Sequence, residues 1–475
     1  MKTLTNTKII ATLGPATNSK EKILELINAG VDVFRLNFSH VDYIEYEKMI
    51  NYVTQLNEEY DFTIGLLADL QGPKIRIGDV DGEGFIVETD DILILSAKRK
   101  ISNNKELFIS YETLEQDVKP GERVFVNDGK IILEIIENNK SKGVIAKVLT
   151  GGIIKSRKGV NFPDTQMQLP SLTKKDIADL EFISKFPINW IALSFVRSES
   201  NVKDLKKLIK SYKHGAKIIA KIEKPEAVKN IKSILRNADG IMVARGDLGV
   251  EIPIEELPGV QRDLIETSIK KSKVAIVATQ MMESMINNSS PTRAEVTDVA
   301  NAVLQGADAV MLSEETAMGN YPTLVVETMN KIIMGAEKSF RPKKEIPKPE
   351  AKSETFESDI VCFNAAKMAD ELKAAAIIGI TISGYTAFKV SSFRTEASIF
   401  IFSKVRSILS TLNLIRGVKG FYYDINSSTE ETHRNLTRIL KEKSYLSVGD
   451  LVVHTSSMPV FEKQRTNLIR VARVE

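Results

Sequence analysis

Two apolar runs in this chain stop abruptly in charge. Ile219-Ala-Lys-Ile-Glu223 runs on into Lys-Pro-Glu, and Ile241-Met-Val-Ala-Arg-Gly-Asp247 into Leu-Gly-Val-Glu. Glu223 and Asp247 are thus carboxylates at strand ends, hard oxygen ligands of the kind that suit Mg²⁺ or Mn²⁺. Lys221 precedes Glu223 by two residues, so on a strand both side chains share one face. A cation beside a metal-binding carboxylate suits an anionic, phosphorylated substrate.

Other runs end in comparable chemistry. In Phe34-Arg-Leu-Asn-Phe-Ser-His40, Arg35, Asn37 and Ser39 alternate on one face and Leu36 and Phe38 on the other. In a barrel this polar set would face the interior at the catalytic end, which is favoured over the alternative of a solvated strand end. Asp69-Leu-Gln-Gly-Pro-Lys-Ile-Arg76 supplies a carboxylate that also suits a turn cap, a Gly72-Pro73 hinge, and Lys74 and Arg76 placed to grip phosphates. Ala278-Thr-Gln-Met-Met-Glu-Ser284 presents Thr279, whose hydroxyl can bond a carboxylate, beside methionines suited to packing. Met311-Leu-Ser-Glu-Glu-Thr316 presents Ser313, a proton relay through water or else a helix cap. The four histidines, His40, His214, His433 and His454, are dispersed, and only His40 adjoins these runs. A histidine metal site is not expected.

Such strand ends need a scaffold that gathers them. Eight short apolar runs cover 9–13, 31–38, 64–70, 190–196, 217–222, 240–244, 274–278 and 309–312. Most are followed by amphipathic stretches, and 19–29, 42–59, 174–186, 200–213 and 225–235 carry the helical period. Eightfold strand–helix alternation predicts a (β/α)8 TIM barrel of the α/β class. An open doubly wound sheet is the alternative; polar strand ends and the lack of a dinucleotide glycine fingerprint favour the barrel. Over 72–169 the helical period gives way to short β-rich runs with the hairpin signal Asn127-Asp-Gly129. This predicts a small inserted β-barrel acting as a lid. The proline-rich, charged segment 341–350 reads as a linker. The expected division is 1–71 and 170–345 for the barrel, 72–169 for the lid, and 356–475 for a C-terminal α/β domain.

Composition narrows the partners. Lys and Arg number 65 against 62 acids in 475 residues, so bulk nucleic-acid binding is not expected. No apolar run reaches membrane-spanning length, and the start lacks a long apolar signal core. Cys362 is the only cysteine, which excludes an intrachain disulfide. A cytoplasmic protein is expected.

Taken together, these motifs resemble the pyruvate kinase family. The likeness is most specific at Arg35-Leu-Asn-Phe-Ser-His40, Lys221-Ile-Glu223, Met242-Val-Ala-Arg-Gly-Asp-Leu-Gly249 and Ala278-Thr-Gln-Met281, with Pro291-Thr-Arg-Ala-Glu295 in support. The resemblance implies a glycolytic phosphotransferase moving the phosphoryl group of phosphoenolpyruvate to ADP. It implies Mg²⁺ (or Mn²⁺) on Glu223 and Asp247, with Arg35 and Lys221 on the phosphoryl group. Thr279 and the amides near Gly246 and Asp247 would hold the substrate carboxylate. Asn37, His40, Arg76 and Lys175 match positions near the nucleotide, and Thr279 with Ser313 would relay a proton to the enolate. Asn37, Ser39, Asp69 and the Leu70 carbonyl match K⁺ ligand positions. Lys74, however, stands where K⁺-dependent relatives carry glutamate, and Leu70, Gln71 and Ile77 are similar to the K⁺-independent branch. K⁺ is therefore not expected to be required. A homotetramer is implied. Members activated by fructose 1,6-bisphosphate usually carry arginine where Tyr385 stands and a glycine-rich loop where this chain reads Ser457-Met-Pro-Val-Phe-Glu-Lys-Gln464, so strong activation is not expected. The alternative function is a Mg²⁺-dependent phosphoenolpyruvate/pyruvate-type carbon–carbon lyase.

Overall fold

The computed structural model describes residues 5–98, 100–139, 143–340, 348–425, 427–458 and 465–475. Residues 341–347 of the segment read as a linker, and 459–464 of the segment Ser457–Gln464, lie outside them.

Eight parallel strands close a barrel: Lys8–Thr12, Val33–Asn37, Gly65–Asp69, Trp190–Leu193, Lys217–Ile222, Gly240–Ala244, Val274–Ala278 and Ala309–Leu312. Seven fall within or coincide with the expected runs, and the first begins one residue early, at Lys8 rather than Ile9. The helices obey local signals. Ser19 caps Lys20–Ala29 by accepting from Lys22 N, and Asp42 caps Tyr43–Glu59 by accepting from Ile44 N and Glu45 N. One expectation needs correction: 225–235 is not one helix but two, Pro225–Lys229 and Ile231–Asn237. They break at Asn230, whose backbone leaves the helical region while its side chain donates to Arg197 O.

Strand parity explains the site. Along each strand, alternate residues point inward. Near the barrel floor these are Ile10, Val33, Leu67, Trp190, Ala192, Ile219 and Met242. Continuing with the same parity toward the C-terminal mouth gives Thr12, Arg35, Asn37, Asp69, Ser194, Lys221 and Glu223. The other parity, with Ile9, Ala11, Phe34, Leu36, Ala68 and Ala220, packs under the helices. One face of each strand is thus apolar below and reactive above.

The lid is a six-stranded, largely antiparallel sheet plus a two-stranded ladder. Its outer strands, Glu106–Phe108 and Val160–Asn161, are joined through the hinge: isolated bridges pair Ile77 with Ile109 and Arg76 with Gly159, closing the ring. The hairpin between Arg123–Val126 and Ile131–Asn139 turns at Asn127, Asp128 and Gly129, all with positive φ (54°, 56° and 79°).

The C-terminal domain is a five-stranded sheet in spatial order Val418–Tyr422, Ser398–Ser403, Ala376–Ile380, Leu451–Ser456, Leu468–Arg473, with only the last strand antiparallel. That edge strand was not expected. The barrel floor rests on this domain. Trp190 Nε1 donates to Thr411 O at 3.1 Å, and the floor residues share one apolar cluster with Cys362, Leu412, Leu414 and Ile415. Among the described residues no helix is long and apolar enough to cross a membrane.

Candidate active site

Lys221 is the centre of the mouth. Its Nζ donates to Ser194 Oγ at 2.7 Å and lies 3.1 Å from Glu223 Oε1 and 3.2 Å from Asp69 Oδ1. Burial alone would push this ammonium toward neutrality, but Asp69 and Glu223 outweigh it and lift the pKa above the usual lysine value. The positive charge is therefore permanent and fixed. Asp69 is 1% exposed, and its Oδ2 accepts from Arg35 Nε at 2.7 Å. Burial would raise its pKa, yet Lys221 and Arg35 bring it below the ordinary value. Arg35 is anchored a second time, Nη1 donating to Thr12 Oγ1 at 3.0 Å.

Glu223 is equally buried. Oε2 accepts from Phe195 N at 2.6 Å, while Oε1 receives no hydrogen bond. Burial first, and then the charge of Asp247, raises its pKa against the pull of Lys221. A divalent cation between two such carboxylates would reverse that strain. Phe195 sits at φ 53°, unusual for a bulky residue, and so aims its amide at Glu223.

The helix Arg245–Glu251 begins at the end of the sixth strand. Gly246 N donates to Thr279 Oγ1 at 2.8 Å, which puts the threonine at the helix's positive end. Thr279 and Gln280 hold φ of 69° and 53°, an uncommon turn for a β-branched residue. Arg245 locks it, donating to Thr279 O at 2.6 Å and pairing with Asp298 at 2.6 Å.

Lys74 reaches this helix from the hinge, its Nζ 3.3 Å from Asp247 Oδ1. The hinge demands Gly72: its φ is 67°, and a Cβ there would stand 2.9 Å from Ser194 Cβ. Arg76 points within the lid, donating to Arg157 O at 3.0 Å. On the other side, Lys175 Nζ donates to Phe38 O at 2.5 Å and to Asp179 at 2.7 Å, beside the Asn37–His40 turn. Asn37 caps that turn by accepting from Ser39 N, and His40 is exposed. Ser313 starts the short helix Glu314–Ala317, its N donating to Glu315 at 2.6 Å. Among the described residues Ser313 and Thr279 make no hydrogen bond with each other.

Lys221, Glu223, Arg35 and Asp69 thus converge, with Asp247 and Thr279 on the adjoining helix end. Arg76 is held apart in the lid. Ser194, Phe195, Lys224 and Glu251 were missed as functional candidates. Ser194 carried the same signal as the others, a polar residue in step with Trp190 and Ala192 within the run 190–196. Among the described residues no cluster of three or more metal-ligating side chains occurs. One or two carboxylates are what a protein usually contributes to a Mg²⁺ site.

The family model for the pyruvate kinase barrel domain matches residues 4–326, and that for the pyruvate kinase alpha/beta domain residues 359–472. A pyruvate kinase of Corynebacterium glutamicum is 39% identical over 465 residues, covering 98% of this chain and 97% of its own length. One from Buchnera aphidicola is 39% identical over 477 residues and covers 99% of both. The crystal structure of a pyruvate kinase from Cryptosporidium parvum matches with a TM-score of 0.91 at 33% identity, over 99% of this chain and 96% of that one.

Proposed function

The chain belongs to the pyruvate kinase family, and from that premise we propose how its own residues carry the phosphoryl group of phosphoenolpyruvate to ADP. The observation that carries the reading is Lys221, an ammonium buried and held 3.1 and 3.2 Å from two carboxylates that keep it charged. Phosphoryl transfer spreads negative charge over three equatorial oxygens, and a preorganised cation stabilises that charge without reorganising. Arg35, fixed by Asp69 and Thr12, grips the same group from the second strand. Thr279 Oγ1 and the amides of Gly246 and Asp247 hold the substrate carboxylate at the helix end.

Glu223 and Asp247 are the residues to hold Mg²⁺ or Mn²⁺, and Glu223 Oε1, buried with only the Lys221 ammonium at 3.1 Å for company, supports that fit. Held there, such an ion would supply positive charge to neutralise the transferring phosphoryl group. Asn37, His40 and Lys175 line the nucleotide side, and Arg76 joins them only on leaving its bond to Arg157 O in the lid. The enolate takes its proton from a water held by Thr279 and Ser313. Lys74 supplies the charge that K⁺ supplies elsewhere in the family. The assembly is a homotetramer.

The test is a coupled assay for pyruvate formation. Turnover should require phosphoenolpyruvate, ADP and a divalent cation together. Pyruvate formed without ADP, or none under any combination, would overturn the reading. Light scattering in solution checks the assembly.

A further inference from the structure

The lid meets the barrel on one short helix. Arg245–Glu251 carries Asp247 in its first turn and Glu251 at its last position. Four residues apart, the two carboxylates rise on one face. Lys74, on the segment leaving for the lid, lies 3.3 Å from Asp247. Asn161, on the returning lid strand, donates Nδ2 to Glu251 Oε1 at 2.7 Å. The same oxygen receives Lys224 Nζ at 2.5 Å, and Lys224 directly follows Glu223. The Lys224 and Glu251 side chains are 8% and 1% exposed, and Glu251 Oε2 is buried without a hydrogen bond. A Cβ on Gly129, at the tip of the lid hairpin, would stand 3.7 Å from Val250 Cγ1. Two lid elements therefore rest on the end of this helix.

We propose that Glu251 is a positioning residue that latches the lid. Through Asn161 it ties the lid to the helix whose other end carries Asp247. Through Lys224 it holds the backbone beside Glu223. The inference rests on the site reading given above, and it concerns when that site is enclosed rather than what it does. Swinging the lid away removes a charge-assisted hydrogen bond from a carboxylate that is otherwise buried, so the bond favours closure. Apparent affinity for an enclosed substrate scales with the closed fraction. Loosening the latch therefore weakens binding and leaves the chemistry of the closed complex unchanged.

Asn161→Ala is the mild test, because it leaves the Lys224–Glu251 pair intact. Amide hydrogen exchange in the ligand-free full chain should accelerate about tenfold over 72–77 and 160–162 and stay unchanged along Lys217–Ile222. KM for ADP should rise several-fold with kcat nearly constant. In a Glu251→Gln background the same change should add much less. Unchanged lid exchange would overturn the latch, and so would equal acceleration in the barrel strand, the mark of general loosening. A fallen kcat with constant KM would move Glu251 from positioning to chemistry. A full-sized effect of Asn161→Ala beside Glu251→Gln would uncouple the pair. A wild-type chain without turnover of phosphoenolpyruvate and ADP would sink the proposed function and leave the exchange result standing.

Discussion

Lys221 and Asp69 show how one buried pair sets both chemistry and pH response. Lys221→Met removes a preorganised charge, and turnover should fall by about 10²–10³-fold. Substrate affinity should change much less, which steady-state kinetics will separate; near-normal turnover would remove Lys221 from the mechanism. The lysine's pKa is raised, so its stabilising contribution is complete below its ordinary value of 10.5 and is lost only as pH rises through the higher folded value. No alkaline limb of the rate profile below that value should belong to it. Asp69 works in the opposite sense. Its pKa is depressed, so its contribution is present above 3.8 and is lost as pH falls through the lower folded value. Asp69→Asn strips a buried cation pair of its partner and should cost about 3–5 kcal/mol at neutral pH. Urea unfolding from neutral to acid should show the two proteins converging as the wild-type carboxylate protonates; a constant gap would assign the stability to something else.

At the scale of the element, strand parity made the site legible and the lid made part of it illegible. Arg35, Asp69, Lys221 and Glu223 could be placed because each continues an apolar strand at an inward position. Glu251 and Lys224 could not, because each follows a strand end by a distance that only the helix and the lid define. The break at Asn230 was equally silent, since both halves keep the apolar period. The terminal strand Leu468–Arg473 hides for a related reason: it is a half-exposed edge with two arginines. The hinge carries its own prediction. Lys74 places an ammonium on Asp247, and a tethered positive charge repels a second monovalent cation nearby. With tetramethylammonium as the only monovalent cation and ionic strength held constant, turnover should persist. A hundred-fold or greater rise on adding KCl would defeat the idea, whereas Lys74→Glu should move the enzyme toward K⁺ dependence.

For the whole molecule, the barrel and the C-terminal domain are tied across their boundary by polar bonds and a shared apolar cluster. Arg394 pairs with Asp308 at 2.9 Å across their boundary, and Asn413 Nδ2 donates to Asp32 O at 2.8 Å. Calorimetry should show these two parts unfolding together and the lid, with a core of its own, in a separate transition. A C-terminal domain that melts alone would contradict this. In that domain Tyr385 opens the helix Tyr385–Ser392 with its hydroxyl on Asp359. Fructose 1,6-bisphosphate should be a weak effector there, and a large left-shift of the phosphoenolpyruvate saturation curve at micromolar effector would refute that expectation. The lone thiol has a use of another kind. Cys362 lies fully buried in the cluster shared by barrel floor and C-terminal domain, and burial pushes its pKa up to about 12. A maleimide dye would therefore ignore it while the two parts stay docked. Cysteines engineered into lid and barrel can carry fluorophores against a silent background, and slow uptake of dye by the unaltered chain becomes a clock for undocking.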